Sequence, residues 1–397
     1  GPGNLGNLDV TGPAGFSDMD TFYNWTEGGD FSEGHEVNPA TGEAYSPNVV
    51  PRGDYSRVLA EFWADGPDSE TPPGHWFVLL NGVMQHPDFT SQWLGEGDAL
   101  DALQYTVRAY LTLGGAMHDA AIAAWSHKGL YDYIRPVSAI RYMASLGQRS
   151  DSTLDSYHPG GMPLVPGRIE VVEAGDPLAS GGNQGKIKVL AWQGPDAVIS
   201  PLWDEAEVGW ILAEEWWPYQ RPSFVTPPFA GYVSGHSTFS RAAAEVLTAI
   251  TGSPFFPGGM GEYEVVQNQF LVFEDGPSQT FNLQWATYRD ASDQCSLSRI
   301  WGGIHPPADD FPGRQLGVEI AELALNRVTQ FFAPSATVDL CPLDLDGDGV
   351  VGATDLLEAL ADFGSYGPAL TGDVNGDEVV GVNDVLELLA SYGESCP

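Results

Sequence analysis

The chain has 397 residues, with 16 Lys plus Arg against 54 Asp plus Glu and a formal net charge of −38. So acidic a chain argues against nucleic-acid binding and against adhesion to anionic membranes, and no run of about 18 apolar residues marks a membrane span. Hydrophobic residues at 43% and aromatics at 11% suffice for a packed core, and the length suits one large domain plus a small one.

The acidity reads as a solvated surface suited to a salty medium rather than as a substrate cue. The chain opens Gly1-Pro2-Gly3 with no Met, which reads as a chain whose leader has been removed. Residues 1–50 are rich in Gly, Asn, Pro and Asp and read as an irregular arm that lies on the main domain or stays mobile. A helix is predicted near 54–64. Residues 98–127 carry a long amphipathic pattern with Leu100, Leu103, Val107 and Leu111 on related faces. Gly114-Gly115 either interrupts that helix or marks a close packing contact. A further helix fits 136–146, with Pro136 opening it.

Residues 147–200 are rich in Gly, Pro and Ser, with strand-like runs at Ile169–Val172 and Lys186–Trp192, predicting a small hairpin. Helices are predicted again at 202–217, 235–251 and 308–331, and 253–284 reads as mixed loop and strand. The balance predicts a mainly α fold, a helical bundle with hairpin insertions. Pro334-Ser335-Ala336 marks a boundary between a domain of 1–334 and a tail of 335–397. Cys341 and Cys396 bracket that tail, and a disulfide between them fits an oxidising compartment; Cys295 reads as a buried packing residue.

The tail holds two acidic repeats. Asp344, Asp346, Asp348 and Asp355 stand at positions 1, 3, 5 and 12 of the first; Asp373, Asn375, Asp377 and Asp384 stand likewise in the second. The position-7 carbonyls come from Val350 and Val379. This is an oxygen-rich EF-hand-like loop of the kind that takes Ca²⁺. Each runs into an apolar helical stretch, Leu356, Leu357 and Leu360 in one, Val385, Leu386, Leu388 and Leu389 in the other. No helix precedes either loop, and the pair resembles a type I dockerin. The resemblance implies a small helical calcium-binding module, attachment to a cohesin-like protein, and a secreted or cell-surface location. Val382-Asn383 and Ala353-Thr354 fall at the recognition positions. The second loop departs at position 6, where Glu378 replaces the turn-forming Gly349 of the first.

Three basic clusters follow one another in the larger domain: Lys128-x6-Arg135-Pro136, Ser234-Gly235-His236, and Ser298-Arg299-x5-His305-x3-Asp309. Two guanidinium forks and an ammonium neutralise a tetrahedral oxyanion. A hydroxyl and a backbone amide at a helix N-terminus add donors. The Ser-Gly-His tripeptide also suits an ordinary N-cap. Lys128 and Arg135 are two turns apart and share a face if the helix continues, and on a helix Asp309 orients His305.

In this order the clusters, over about residues 98–330, resemble the vanadium-dependent haloperoxidases and the related type-2 phosphatidic acid phosphatases. The resemblance implies that His305 ligates vanadate, or is the phosphorylated nucleophile of a phosphatase. It makes His236 the general acid–base and Asp309 the group that orients His305. Lys128, Arg135 and Arg299, with Ser234 and the Gly235 amide, then hold the oxyanion. Val233 stands where the family often has Pro. Trp125 and Phe229 match halide-pocket aromatics of the fungal-type chloroperoxidases, although both also suit a core. His118 and His127 read as structural or surface residues, and His35, His75, His86 and His158 have no ligand spacing. The implied activity is oxidation of halide by hydrogen peroxide to a hypohalous-acid equivalent that halogenates an organic acceptor, with vanadate and Ca²⁺ as cofactors. A secreted acid phosphatase and a scaffold-attached binding protein with an inert pocket remain as alternatives.

Overall fold

A computed structural model of the chain describes residues 35–64, 69–194, 208–221, 223–332, 342–367, 370–375, 377 and 379–395. The Cys341–Cys396 pairing and Glu378 lie outside them. The chain divides into two compact units, Gly1–Val328 and Thr329–Pro397.

In the larger unit the helices are α1 (Arg52–Phe62), α2 (Pro72–Gln85), α3 (Ala102–Tyr131), α4 (Pro136–Leu146), α5 (Gly235–Thr251), α6 (Tyr288–Trp301) and α7 (Pro307–Phe332). The strands β1 (Ile169–Val171), β2 (Ile187–Trp192) and β3 (Val208–Leu212) form one antiparallel sheet. A second hairpin joins β4 (Gly261–Val265) to β5 (Phe281–Trp285). Val208–Leu212 lies within a predicted helix over 202–217, and it pairs instead with Lys188–Trp192 of β2. Its Val-Gly-Trp-Ile-Leu run is as good a strand as a helix, and the available edge of β2 decides.

Helix α5 is the centre of the bundle, packing on α6, α3 and α2, while α1 packs on α6. Ser234 caps its start and Gly252, at φ 72°, ends it in the left-handed region. Along α5, Ala242, Ala243, Ala244, Val246, Leu247 and Ile250 are all buried. Asp101 caps α3, which runs unbroken through Gly114-Gly115. A Cβ on Gly115 would meet nothing within 4 Å, so these glycines mark neither a break nor a close contact.

The buried face of α3 is Tyr105, Ala109, Leu113, Ala116, Ala120 and Ala124. The predicted apolar face is the wrong one: Leu103, Val107 and Leu111 are 74%, 52% and 50% exposed. Small residues let α3 approach α5 closely, and close approach outweighs side-chain size in choosing the buried stripe. Among the arm residues described, Asn38 and Tyr45 donate to the carbonyls of Gly258 and Gly259, and Asn48 donates to that of Asn282. That stretch therefore lies on the larger unit.

An ionic knot ties α5, α6 and α7 together. Asp293 accepts from Arg241 at 2.9 Å and Arg314 at 2.6 Å, and Arg314 also makes a two-pronged pair with Asp310, 2.9 Å on each arm. All four side chains are buried.

In the smaller unit, α8 (Ala353–Ala361) and α9 (Val382–Ala390) pack on each other over Val351, Ala359 and Leu388. Each follows one acidic loop.

Candidate active site

Local sequence decides where each cluster falls. Helix α3 ends at Tyr131 because Asp132 turns left-handed, φ 44° and ψ 47°. Lys128 is thus in its last turn, and Arg135 is the N-cap residue of α4 rather than a continuation of α3. The two cations come together from two elements, not along one helix face. Ser234 is the N-cap of α5, its Oγ accepting from the Ser237 amide at 3.3 Å. Arg299 is in the last turn of α6, and His305 lies in the link to α7, whose first turns supply Asp309.

The side chains converge. His305 Nδ1 and Asp309 Oδ2 are 2.7 Å apart, and His305 Nε2 and Arg135 Nη1 are 3.0 Å apart. A guanidinium only donates, so Nε2 is the lone-pair nitrogen, and Nδ1–H donates to the carboxylate. Arg135 also donates to the carbonyls of Phe229, Ile304 and Ala230 at 2.9, 2.9 and 3.2 Å. Lys128 Nζ donates to those of Ala230 and Gly231 at 3.0 and 2.7 Å. Arg299 donates through Nη2 to the Ala60 carbonyl at 2.7 Å and through Nε to Ser298 Oγ at 2.9 Å. His236 Nε2 donates to the Trp63 carbonyl at 2.8 Å, leaving Nδ1 as its proton acceptor. The Ser234 amide donates to the Asp309 carbonyl at 2.9 Å, fixing the start of α5 against the start of α7.

Lys128, Arg135, Arg299, Ser234, His305 and Asp309 are buried. Burial, then the Arg135 charge, pulls the Lys128 amine down to about 7, against the pull of Asp309. Burial pushes Asp309 up to about 6 although Lys128 and Arg135 oppose it. Burial, followed by Arg135, Lys128, His236 and Arg299, holds His305 well below the usual imidazole range. Burial and then Arg299 do the same to His236. Both rings are therefore neutral at pH 7, with one nitrogen each able to take a proton or bind an electrophile. Asp309 Oδ1 is buried with no partner among the described residues, so this carboxylate's hydrogen bonding there rests on the oxygen that holds His305.

Trp125 and Phe229 are not core residues. They are 45% and 41% exposed, with centroids 5.2 Å apart. The Lys128 ammonium lies 5.4 Å from the Phe229 ring centre and 5.8 Å from that of Trp125. A Cβ on Gly235 would lie 3.3 Å from the Trp125 ring, so glycine there lets the ring close over the start of α5. His118 is exposed beside Asp119, and His127 bonds the Ala123 carbonyl of its own helix. His75 stands 5.3 Å from the Trp63 ring.

The backbone carbonyls of Ala60, Trp63 and 229–231 had no signal in the sequence, since every residue carries one. Cys295 is buried, its thiol pushed up to about 11 by burial, in keeping with a packing role.

The two acidic loops repeat one geometry. Asp344 and Asp346 accept from the Asp348 amide, Asp348 from the Val350 amide, and Asp355 from the Leu345 and Gly352 amides. Asp373 and Asn375 accept from the Asp377 amide, Asp377 from the Val379 amide, and Asp384 from the Val374 and Gly381 amides. Carboxylate oxygens of Asp344, Asp346 and Asp348 lie within 4.8 Å of one another. Asp355 and Asp384 are buried as helix-start caps.

The larger unit is thus a helical bundle that buries two guanidiniums, an ammonium and an oriented imidazole. Its sequence matches the VCPO second helical-bundle domain over residues 108–334, more than half of the chain, and the chain belongs to that family of vanadium haloperoxidases. Among solved structures it is similar to a bacterial vanadium-dependent chloroperoxidase. The apo form shows 19% identity and TM-score 0.44, covering 69% of this chain and 45% of that one. The holo form shows 18% identity and TM-score 0.43, covering 79% and 50%. A bacterial vanadium-dependent iodoperoxidase matches at 20% identity and TM-score 0.38, covering 79% and 49%. The chain spans about half the length of these structures. No curated protein matches. Among the described residues, no helix is long and apolar enough to cross a membrane.

Proposed function

We propose that the buried basic cluster holds vanadate and that the chain is a vanadate-dependent haloperoxidase, oxidising halide with hydrogen peroxide. The observation that carries this reading is His305, with Asp309 on Nδ1 at 2.7 Å and the Nε2 lone pair on Arg135 at 3.0 Å. The donor set fits the anion: Lys128, Arg135 and Arg299 neutralise its oxygens, and the first amides of α5 add hydrogen bonds. Bound vanadate supplies the activation of peroxide toward halide. The chain's own part is to orient His305 through Asp309, to concentrate positive charge on the anion, and to take or give a proton at His236 Nδ1. The half-exposed Trp125 and Phe229 offer polarisable rings beside the Lys128 ammonium, whose charge attracts halide.

The test is bromide-dependent halogenation of a dye with peroxide, before and after orthovanadate is added, in the parent and in His305→Ala. Vanadate-dependent turnover in the parent and its loss in the variant are expected. Hydrolysis of a phosphomonoester that vanadate inhibits, with no halogenation, assigns the acid phosphatase; neither activity leaves a binding protein with an inert pocket.

For the smaller unit the reading is a dockerin-like module. Asp344, Asp346, Asp348 and the Val350 carbonyl would take Ca²⁺ in the first loop, with Asp373, Asn375, Asp377 and the Val379 carbonyl in the second. What supports it is the spacing, repeated twice, and the three converging carboxylates of the first loop. Asp355 and Asp384, turned onto backbone amides, position the loops. A cohesin-like partner and a secreted or cell-surface location go with this reading. Calcium titration by calorimetry, with the full chain and with the chain ended at residue 334, decides it.

A further inference from the structure

Helix α3 buries a face of small residues against the bundle and leaves its large apolar residues uncovered. Leu103, Val107, Tyr110, Leu111, Ile122 and Trp125 are between 36% and 74% exposed. At roughly 100 Å² each they present on the order of 600 Å² of apolar surface. That is the upper end of what a monomer carries, and the polar atoms of the same strip bring it near the ~800 Å² a side of a standard interface. The strip is also poor in charge. Of the 54 Asp and Glu in the chain, α3 holds one, Asp119. Elsewhere the acidic surface keeps two copies apart; along α3 it does not.

The order of residues on this helix repeats on reversal. Leu103, Gly114 and Trp125 stand eleven residues apart, about three turns, and so lie on one line along the helix. Arg108 and Asp119 are also eleven apart, on a second line beside the first. A twofold axis through Gly114 lays α3 antiparallel on the α3 of another copy. Leu103 then meets Trp125 of the copy, Val107 meets Ala121 and Ile122, and the cation Arg108 meets the anion Asp119, each contact made twice. Gly114 sits where the two backbones cross. Glycine weakens a helix relative to alanine, and within its own chain Gly114 meets only Phe77 Cζ at 4.0 Å, an ordinary contact that does not call for glycine. A second backbone at close range does.

We propose that two copies of this chain pair through α3, antiparallel, about a twofold axis at Gly114. Leu103 of the copy covers the Trp125 ring, which lies 5.8 Å from the Lys128 ammonium, so the second copy completes the rim of the basic site. The pairing rests on the surface of α3 and is independent of the haloperoxidase reading.

Sedimentation velocity of the full chain, at about 10 μM in about 0.15 M NaCl, is expected to give twice the 42.6 kDa of one chain. Ile122→Glu sets a carboxylate on the strip and is expected to raise the dissociation constant at least about tenfold, with the diluted monomer melting as the parent's does. Arg108→Glu and Asp119→Lys are each expected to weaken pairing at least about tenfold, and the double variant to return within about threefold of the parent. Gly114→Cys, oxidised, is expected to form a disulfide-linked dimer beyond any seen in the parent. Leu103→Cys is not, because its two copies stand about 33 Å apart. A monomeric parent overturns the proposal, as does a dimer that Ile122→Glu leaves intact. So does a charge-reversed double that fails to recover, or crosslinking through Leu103→Cys in place of Gly114→Cys.

Discussion

Lys128 is an ammonium kept where water cannot reach it, and its pKa records the strain. The unfolded chain holds a proton on this amine up to about pH 10.5, the folded chain only up to about 7. Between those values stability rises with pH; below about 7 the buried charge destabilises the fold by a constant amount. Lys128→Met removes that burden. Without an anion, its melting temperature at pH 6 is expected to exceed the parent's by roughly 2–4 °C, read by calorimetry. Its vanadate-dependent turnover is expected to fall at least about tenfold. Asp309 sets a second pH limb. Its carboxyl titrates near 6, and as pH falls through that value His305 loses the charge that orients it. Turnover should fall on the acid side with an apparent pKa of about 6. In Asp309→Asn that limb should vanish, with a plateau roughly 10- to 100-fold lower. The charged members of this site were legible because cations are scarce in the chain and their spacing is specific. The carbonyls that hold those cations in place were not.

At the scale of elements, the starts of α4, α5 and α7 were readable to within a residue, while the start of α3 and its buried face were not. Helix α2 was missed because Pro72-Pro73 reads as a breaker, although after the Thr71 cap those prolines sit in the first turn, where no N–H is needed. Helix α6 was missed because Ser292, Asp293, Gln294, Ser296 and Ser298 hide its apolar period. They are buried, with Asp293 paired to two arginines and Gln294 bonded to Trp63, Trp285 and Tyr55. The Thr287–Asp290 capping box was the signal available. Glycines give the sharpest test of these packings. A Cβ on Gly317 would lie 2.7 Å from the Thr238 carbonyl and 2.9 Å from the Ala242 nitrogen, both backbone atoms of α5. Gly317→Ala must push α7 off α5 and is expected to destabilise by roughly 1–3 kcal/mol. Gly115→Ala, on an open helix face, should stabilise by about 0.5–1 kcal/mol. Denaturant unfolding of the two variants measures both signs.

For the whole molecule, charges of both signs are paired inside and acidic charge prevails outside. Among the described residues Arg57, Lys128, Arg135, Arg241, Arg299 and Arg314 are buried, and so are nine carboxylates, Asp54, Glu61, Glu274, Asp290, Asp293, Asp309, Asp310, Asp355 and Asp384, so the interior takes both signs and the acidic excess stays outside. The acidic excess was legible from composition; the burial of paired charges was not, because the sequence does not say which Arg meets which Asp. Surface repulsion acts over a Debye length of about 10 Å at 0.1 M salt and about 3 Å at 1 M. Buried pairs are screened far less. The two contributions can therefore be separated in one experiment. Raising NaCl from about 0.1 to about 1 M should raise the parent's melting temperature, because added ions relieve repulsion among exposed carboxylates. Asp293→Asn leaves Arg241 and Arg314 buried without the carboxylate they share, and should destabilise by roughly 3–5 kcal/mol. Because that pair lies inside, salt should raise the variant's melting temperature as much as the parent's and leave the gap between them unchanged. A gap that closes with salt would mean that water reaches the knot between α5, α6 and α7, and that the bundle is not held together from within.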